Sequence, residues 1–226
     1  MKGIFNELNQ LFESETIKPT FEYVHIILAL FIFSENSNGI GRYRLKEELK
    51  IGAGTAKSLI TKLNEKINFI SVLEGNIRKG HVLTEEGLKF LNNVKRMIPF
   101  LVKGDINILK EIIIETENSH VFICQVKNCG EKISNGVAQR DAAIKVNGTG
   151  ASCLVFNGKK LIFKLGPSSQ YDQELMKINT EIQDYFNRII IKENSKLDEN
   201  DVIIIGLAKD SETARLAALN AALTLI

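Results

Sequence analysis

Apolar positions in the N-terminal part of the chain change period several times, and each change marks an element. Ile4, Phe5, Leu8, Leu11 and Phe12 recur at helical spacing. A polar stretch and Pro19 end that pattern. Thr20 then supplies an N-cap, and Glu22 suits the positive end of a helix reaching about residue 34. This helix is apolar over most of its circumference, which predicts a central place in its domain. Residues 43–50 predict a shorter helix with Leu45 and Leu49 turned inward. Gly52 and Gly54 bracket Ala53 in a turn, where glycine makes positive φ cheap. The helix predicted over 55–66 carries Ala56, Leu59, Ile60, Leu63 and Ile67 on one face. Ser58, Thr61 and Glu65 take the other face, flanked by Lys57 and Lys62. Residues 69–73 and 81–84 are apolar and β-branched, predicting two strands around a glycine-bounded loop that holds Arg78 and Lys79. Thr84 caps a closing helix with acids in its first turn.

A new pattern starts after 99–104, and the division is placed at 1–102 and 103–226. Strands are predicted over 110–116 and 120–126, then a helix over 136–146 that Gly148 and Gly150 end. Strands over 153–156 and 159–163 flank Asn157-Gly158, a strong hairpin signal. A helix over 170–189, an apolar strand over 202–207 and an alanine-rich helix capped by Asp210 or Ser211 complete the chain. The fold class is therefore α+β: a winged helix-turn-helix domain, then an α+β sandwich with a mixed or antiparallel sheet.

Charge changes this picture more than composition does. Residues 1–38 hold two lysines against five glutamates, and 39–103 hold thirteen Lys or Arg against six Glu. Residues 104–226 hold fourteen cations against sixteen acids. The positive excess thus sits on the helix-turn-helix pattern and gives that segment a field that attracts phosphate. The most apolar run, 24–33, is too short to span a bilayer, and residues 1–20 lack a signal-peptide pattern. A cytoplasmic protein with no membrane partner is expected. Cys124, Cys129 and Cys153 are too few and too uneven for a disulfide framework. His120, Cys124 and Cys129 can be drawn as metal ligands, but Cys124 lies in an apolar strand as a small hydrophobe, and no metal or cofactor is expected.

Residues 39–92 resemble the winged-helix fold of archaeal and bacterial transcriptional regulators, and the phrase HVLTEEGLKFL resembles their exit from the wing. The whole chain resembles a little-characterised archaeal family that joins such a domain to a C-terminal domain of unknown function. The segment GVAQRDAAIKVNGTGASCLVFNGKKL carries that second likeness. The resemblance implies a major-groove helix over 55–66, a wing touching the minor groove or backbone, and an N-terminal helix buried in its own domain or against a second subunit.

On this reading Lys57, Ser58, Thr61 and Lys62 face the groove, Arg78 and Lys79 act from the wing, and Arg42 and Arg44 from the preceding helix. Lysine and arginine attract phosphate, while serine and threonine reach backbone or base edges. Gln139, Arg140, Asp141 and Thr149 are the candidate ligand-binding residues of the C-terminal domain. No catalytic set is found: a Walker loop, a dinucleotide fingerprint and a nucleophile elbow are all absent. The expectation is a non-enzymatic, homodimeric transcriptional regulator that binds double-stranded DNA and senses a small-molecule effector. The alternatives are an enzyme acting on a nucleotide or phosphorylated metabolite, with a regulatory winged helix, and a winged-helix scaffold that docks protein.

Overall fold

The computed structural model describes residues 5–13, 19–72, 80–113, 118–164 and 178–226. The protein is α+β and divides into two compact units, Met1–Lys95 and Arg96–Ile226. The division falls before residue 102 because Leu101–Lys103 is a strand of the second unit's sheet, paired with Phe122–Cys124.

In the first unit a short 3-10 helix, Asn6–Leu11, buries Leu8 and Leu11 completely. Phe12 stacks against Phe21 and Tyr23, with ring centres 5.6 and 4.7 Å away. The apolar stripe of this segment is therefore largely spent inside its own unit. Helix α1, Tyr23–Glu35, buries every residue from Ile26 to Phe33, as its uniform hydrophobicity predicts. Its cap is Glu22 rather than Thr20. The Glu22 side chain accepts from the His25 backbone N–H, and His25 Nδ1 accepts from the Glu22 N–H at 2.9 Å. This is a capping box with histidine where Glu or Gln is usual. The Thr20 hydroxyl lies instead 2.6 Å from that of Thr55.

Helix α2, Arg42–Leu49, buries Leu45 and Leu49. The bend after it is made by Lys50, at φ 54°, and not by a glycine. Gly52 has φ −67° and serves as N-cap of α3, Ala53–Glu65, so Gly54 belongs to the first turn of that helix. Ala56, Leu59, Ile60 and Leu63 form its buried face, as their spacing predicts. Strands β1, Ile70–Val72, and β2, His81–Leu83, pair antiparallel. Ile40 and His81 exchange two backbone hydrogen bonds of 3.0 Å, tying the chain before α2 to the hairpin base. Helix α4, Glu85–Met97, is capped by Thr84, whose hydroxyl accepts from Gly87 N–H at 3.1 Å. Gly87 is obligatory, since a Cβ there would stand 2.1 Å from the Phe69 carbonyl oxygen. The element order is that of a winged helix-turn-helix. The wing loop, with Arg78 and Lys79, lies outside the described residues.

The second unit holds a five-stranded antiparallel sheet in the order β3-β4-β7-β5-β6. The strands are β3 Leu101–Lys103, β4 His120–Val126, β5 Gly150–Phe156, β6 Leu161–Phe163 and β7 Val202–Ala208. The helices are α5 Ile106–Leu109, α6 Val137–Lys145, α7 Thr180–Lys192 and α8 Ser211–Leu223. The strand expected over 110–116 is not found in its described part, where α5 ends and Lys110–Ile112 form a turn. Asp105 caps α5 by accepting from Asn107 N–H at 2.9 Å. Leu109 and Ile113, four residues apart, then enter the same core. The start expected for α7, near 170, lies outside the described residues; its described portion is capped by Asn179.

Alternation along the strands fills both faces of the sheet. Val121, Ile123, Ile203 and Ile205 join Leu109, Tyr185 and Phe186 on the face covered by α5 and α7. On the opposite face the Cys124 thiol reaches the Ala218 carbonyl, and Gly206 abuts Ala218. Strand β7 is buried along its whole length, as a central strand should be. The Asn157-Gly158 turn joins β5 to β6: Gly158 has φ +85°, and Asn157 Oδ1 accepts from the backbone of Lys159 and Lys160.

One buried polar cluster secures the entry to β7. Asp201 is fully buried and accepts from Asn128 N–H, Gln125 Nε2, Lys127 Nζ and Asp198 N–H at 2.7–2.9 Å. Burial disfavours the Lys127 charge, yet its hydrogen bonds to Asp198 and Asp201 outweigh this and raise its pKa. Lys127 and Lys196 together hold the Asp198 carboxyl below its usual range.

Candidate nucleic-acid interface

The buried stripe of α3 fixes the opposite face toward solvent. There Gly54, Lys57, Ser58 and Thr61 line a shallow concavity of about 600 Å³, which continues past Lys62 to Glu65 and Lys66. Lys57 and Thr61 are exposed and Ser58 is half-buried. No hydrogen bond or ion pair among the described residues engages the polar groups of Lys57, Ser58 or Thr61.

Lys62 behaves differently from its neighbours. Its ammonium donates to the carbonyls of Leu11 at 2.6 Å and Glu13 at 2.9 Å. It therefore secures the N-terminal segment to α3, and its donors are directed inward. Sequence spacing placed it beside the groove face but could not reveal two carbonyls some fifty residues earlier. Arg42 and Arg44 are exposed on α2. Arg44 lies 3.5 Å from Glu48. Arg42 is stacked on Tyr43, a residue that the motif pattern alone does not single out. A signal was present: Tyr43 lies off the Leu45–Leu49 face, between two arginines, in a helix with no other aromatic.

The C-terminal candidates do not converge. Gln139 is buried and donates to the Thr224 hydroxyl at 2.7 Å, which makes it a structural tie between α6 and the end of α8. Thr149 bonds Leu207 through its backbone, and its hydroxyl is buried without a partner among the described residues. The Arg140 guanidinium folds back and meets the adjacent Asp141 carboxylate at 2.9 and 3.1 Å. A cavity of about 210 Å³ is lined by Arg140 together with Asn135, Ser152, Cys153, Phe163 and Lys164. Gln139, Asp141 and Thr149 are not part of its lining. Asp210 accepts from Thr213 N–H at 2.9 Å, so the α8 N-terminus has an internal acceptor, as the sequence suggested.

Among the described residues no group of three or more His, Cys, Asp or Glu side chains comes together as a metal site. All three cysteines are free and buried. Burial pushes the Cys124 thiol upward and that of Cys153 to about 12, which suppresses their thiolate forms. No helix of the described residues is long and apolar enough to cross a membrane.

Two histidines frame the first unit. Burial lowers the pKa of His25 below its ordinary 6.5, with the Glu22 carboxylate acting in the opposite direction. Burial also lowers that of His81, whose Nδ1 is enclosed without a partner among the described residues. In the unfolded chain both rings take up protons near pH 6.5, while the folded unit takes them up only at lower pH. The unfolded state then binds more protons, so stability falls as pH drops through about 6.5. Thermal unfolding between pH 7.5 and 5.5 should show a falling midpoint, and the His25→Gln/His81→Gln double variant should show a flatter profile. Identical slopes for the two proteins would contradict this assignment.

Residues 117–225 match the family model of a domain of unknown function (DUF4443). Among solved structures, a hypothetical protein, PH0730 from Pyrococcus horikoshii OT3, is similar over 91% of this chain and 93% of its own, with a TM-score of 0.64 and 22% identity. At that identity the likeness is one of fold. No curated protein matches the chain.

Proposed function

We propose that the chain is a transcriptional regulator that binds double-stranded DNA through its N-terminal unit. The observation that carries this reading is the solvent face of α3, where Lys57, Ser58 and Thr61 stand in a concavity with no partner among the described residues. A free cation flanked by free hydroxyls suits a phosphate backbone and adjacent base edges. Gly54 supports the same reading. It occupies the first turn of α3 on the same solvent face. Among the described residues nothing lies within 4 Å of the Cβ it lacks, so their packing does not require it. The open space leaves room for an external backbone to approach this turn.

The C-terminal unit would then act as the responsive part. The cavity lined by Arg140 and Lys164 is the place for an effector, which would have to displace Asp141 from the Arg140 guanidinium and the Gly130 carbonyl from the Lys164 ammonium. An effector there regulates only if it binds one arrangement of the protein more tightly than another.

Titration of labelled duplex with the full chain over a salt series tests the DNA reading. Lys57→Gln should weaken binding to all sequences and reduce the log–log salt slope by about one. Lys62→Gln should reduce that slope less, because its ammonium is held at the Leu11 and Glu13 carbonyls and is not directed at the solvent face. Equal slopes for wild type and Lys57→Gln would remove α3 from the interface.

A further inference from the structure

The start of α2 carries a pair of side chains that the fold does not use. Tyr43 is 69% exposed, and no other aromatic among the described residues is exposed to a comparable degree. The Arg42 guanidinium carbon lies 4.8 Å from the centre of the Tyr43 ring, and Nη2 donates to the phenol oxygen at 2.9 Å. The other cations of this helix are partnered by acids: Arg44 by Glu48 at 3.5 Å and Lys46 by Glu47 at 2.8 Å. Among the described residues Arg42 has only the neutral ring, which orients the guanidinium and leaves its charge intact. Because the phenol oxygen accepts from Arg42, its own proton remains to be donated elsewhere.

Orientation matters energetically. A free arginine loses side-chain entropy when it is fixed at an interface, and stacking on Tyr43 removes part of that loss beforehand. The pair thus presents a planar cation and an adjacent hydroxyl donor on a solvent-facing helix turn. The partner such a pair fits carries a negative charge and several acceptor oxygens in one small group. A phosphodiester meets both requirements. The pair also lies within three residues of Ile40, which is bonded to the hairpin base at His81, so it belongs to the same structural frame as the wing strands.

We propose that Arg42 and Tyr43 together grip one backbone phosphate of duplex DNA, with the Tyr43 hydroxyl donating to it directly. This rests on the DNA reading above and adds Tyr43 as a contact. The test is a fluorescence-anisotropy titration of a labelled duplex with the full chain, comparing wild type, Lys57→Gln, Arg42→Gln and Tyr43→Phe across a salt series.

Tyr43→Phe keeps the ring and should weaken binding by about tenfold, the usual scale for one hydrogen bond to a charged group. It removes no charge, so its salt slope should match wild type. Arg42→Gln should reduce the slope by about one. Both side chains are exposed, so the thermal midpoint should not move. A Tyr43→Phe protein that binds like wild type, while Lys57→Gln is weakened, overturns this proposal and leaves the DNA reading standing. A reduced slope in Tyr43→Phe also overturns it, because Tyr43 would then act only by holding Arg42. Failure of the wild-type chain to bind duplex at low salt overturns both.

Discussion

Replacing Gly206 with alanine is expected to unfold or severely destabilise the C-terminal unit. A Cβ at this position would stand 2.3 Å from the Ala218 backbone nitrogen, 2.5 Å from its Cα and 2.7 Å from its Cβ. The first two atoms belong to the α8 backbone, so no rotamer change relieves the clash. Either α8 lifts from the sheet or β7 bends. Strand β7 pairs with β4 on one side and β5 on the other, so bending it disturbs the centre of the sheet. Overpacking of a core commonly costs about 1–3 kcal/mol, and a clash against backbone belongs at or beyond the upper end of that range. The check is chemical denaturation followed by circular dichroism, with the midpoint shifted sharply downward or no cooperative transition left. Ala218→Gly should not rescue the variant, since the clash with the α8 backbone persists when the Ala218 methyl is removed. An unchanged midpoint for Gly206→Ala would mean that α8 is not seated against β7.

The second large effect is expected at Asp201. Its carboxylate is buried and satisfies two backbone N–H groups, the Gln125 amide and the Lys127 ammonium at once. Asp201→Ala removes the common acceptor and strands the Asn128 and Asp198 N–H groups near the start of β7. Removing one partner from a buried ion pair costs about 3–5 kcal/mol. The lower end applies here, because Lys127 keeps Asp198 as a partner and remains partly exposed. Asp201→Asn keeps the shape but directs an NH₂ group at other donors, so it should fall between wild type and alanine. Denaturant midpoints of the three proteins give the comparison. The order wild type, Asn, Ala supports the cluster as the anchor of this loop, and three equal midpoints would contradict it.

The elements most legible in the sequence were those fixed by local chemistry or a clear period. The buried face of α3, the Thr84 cap, the Asn157-Gly158 hairpin and the Asp210 cap all depend on residues within a few positions of one another. The first strand of the second sheet was misplaced for the converse reason. Leu101–Lys103 is only a three-residue strand, and it exists because β4, some twenty residues later, supplies its hydrogen bonds. The β-branched run near residue 112 looked more strand-like, but the short helix α5, capped by Asp105, precedes it and Lys110–Ile112 form a turn. Positive φ at Lys50, rather than at a neighbouring glycine, was equally hidden, since lysine carries no local signature for that conformation.

Legibility of the site followed the same division. Which face of α3 meets solvent could be read from its apolar stripe. That Lys62 is tied to the N-terminal segment, that Arg140 folds back onto Asp141, and that Gln139 is a buried tie all depend on contacts that spacing alone does not specify. Tyr43 was visible as an aromatic on the wrong side of an amphipathic helix, and its meaning emerged only with the Arg42 stack.

Binding of the intact wild-type chain to an arbitrary DNA duplex, followed as salt is raised, addresses the central assignment most directly. With about five candidate cations contacting phosphate, the affinity should fall steeply, with a log–log slope of roughly −4.5. A chain that ignores duplex at low salt, or holds it with an affinity indifferent to salt, would contradict the account.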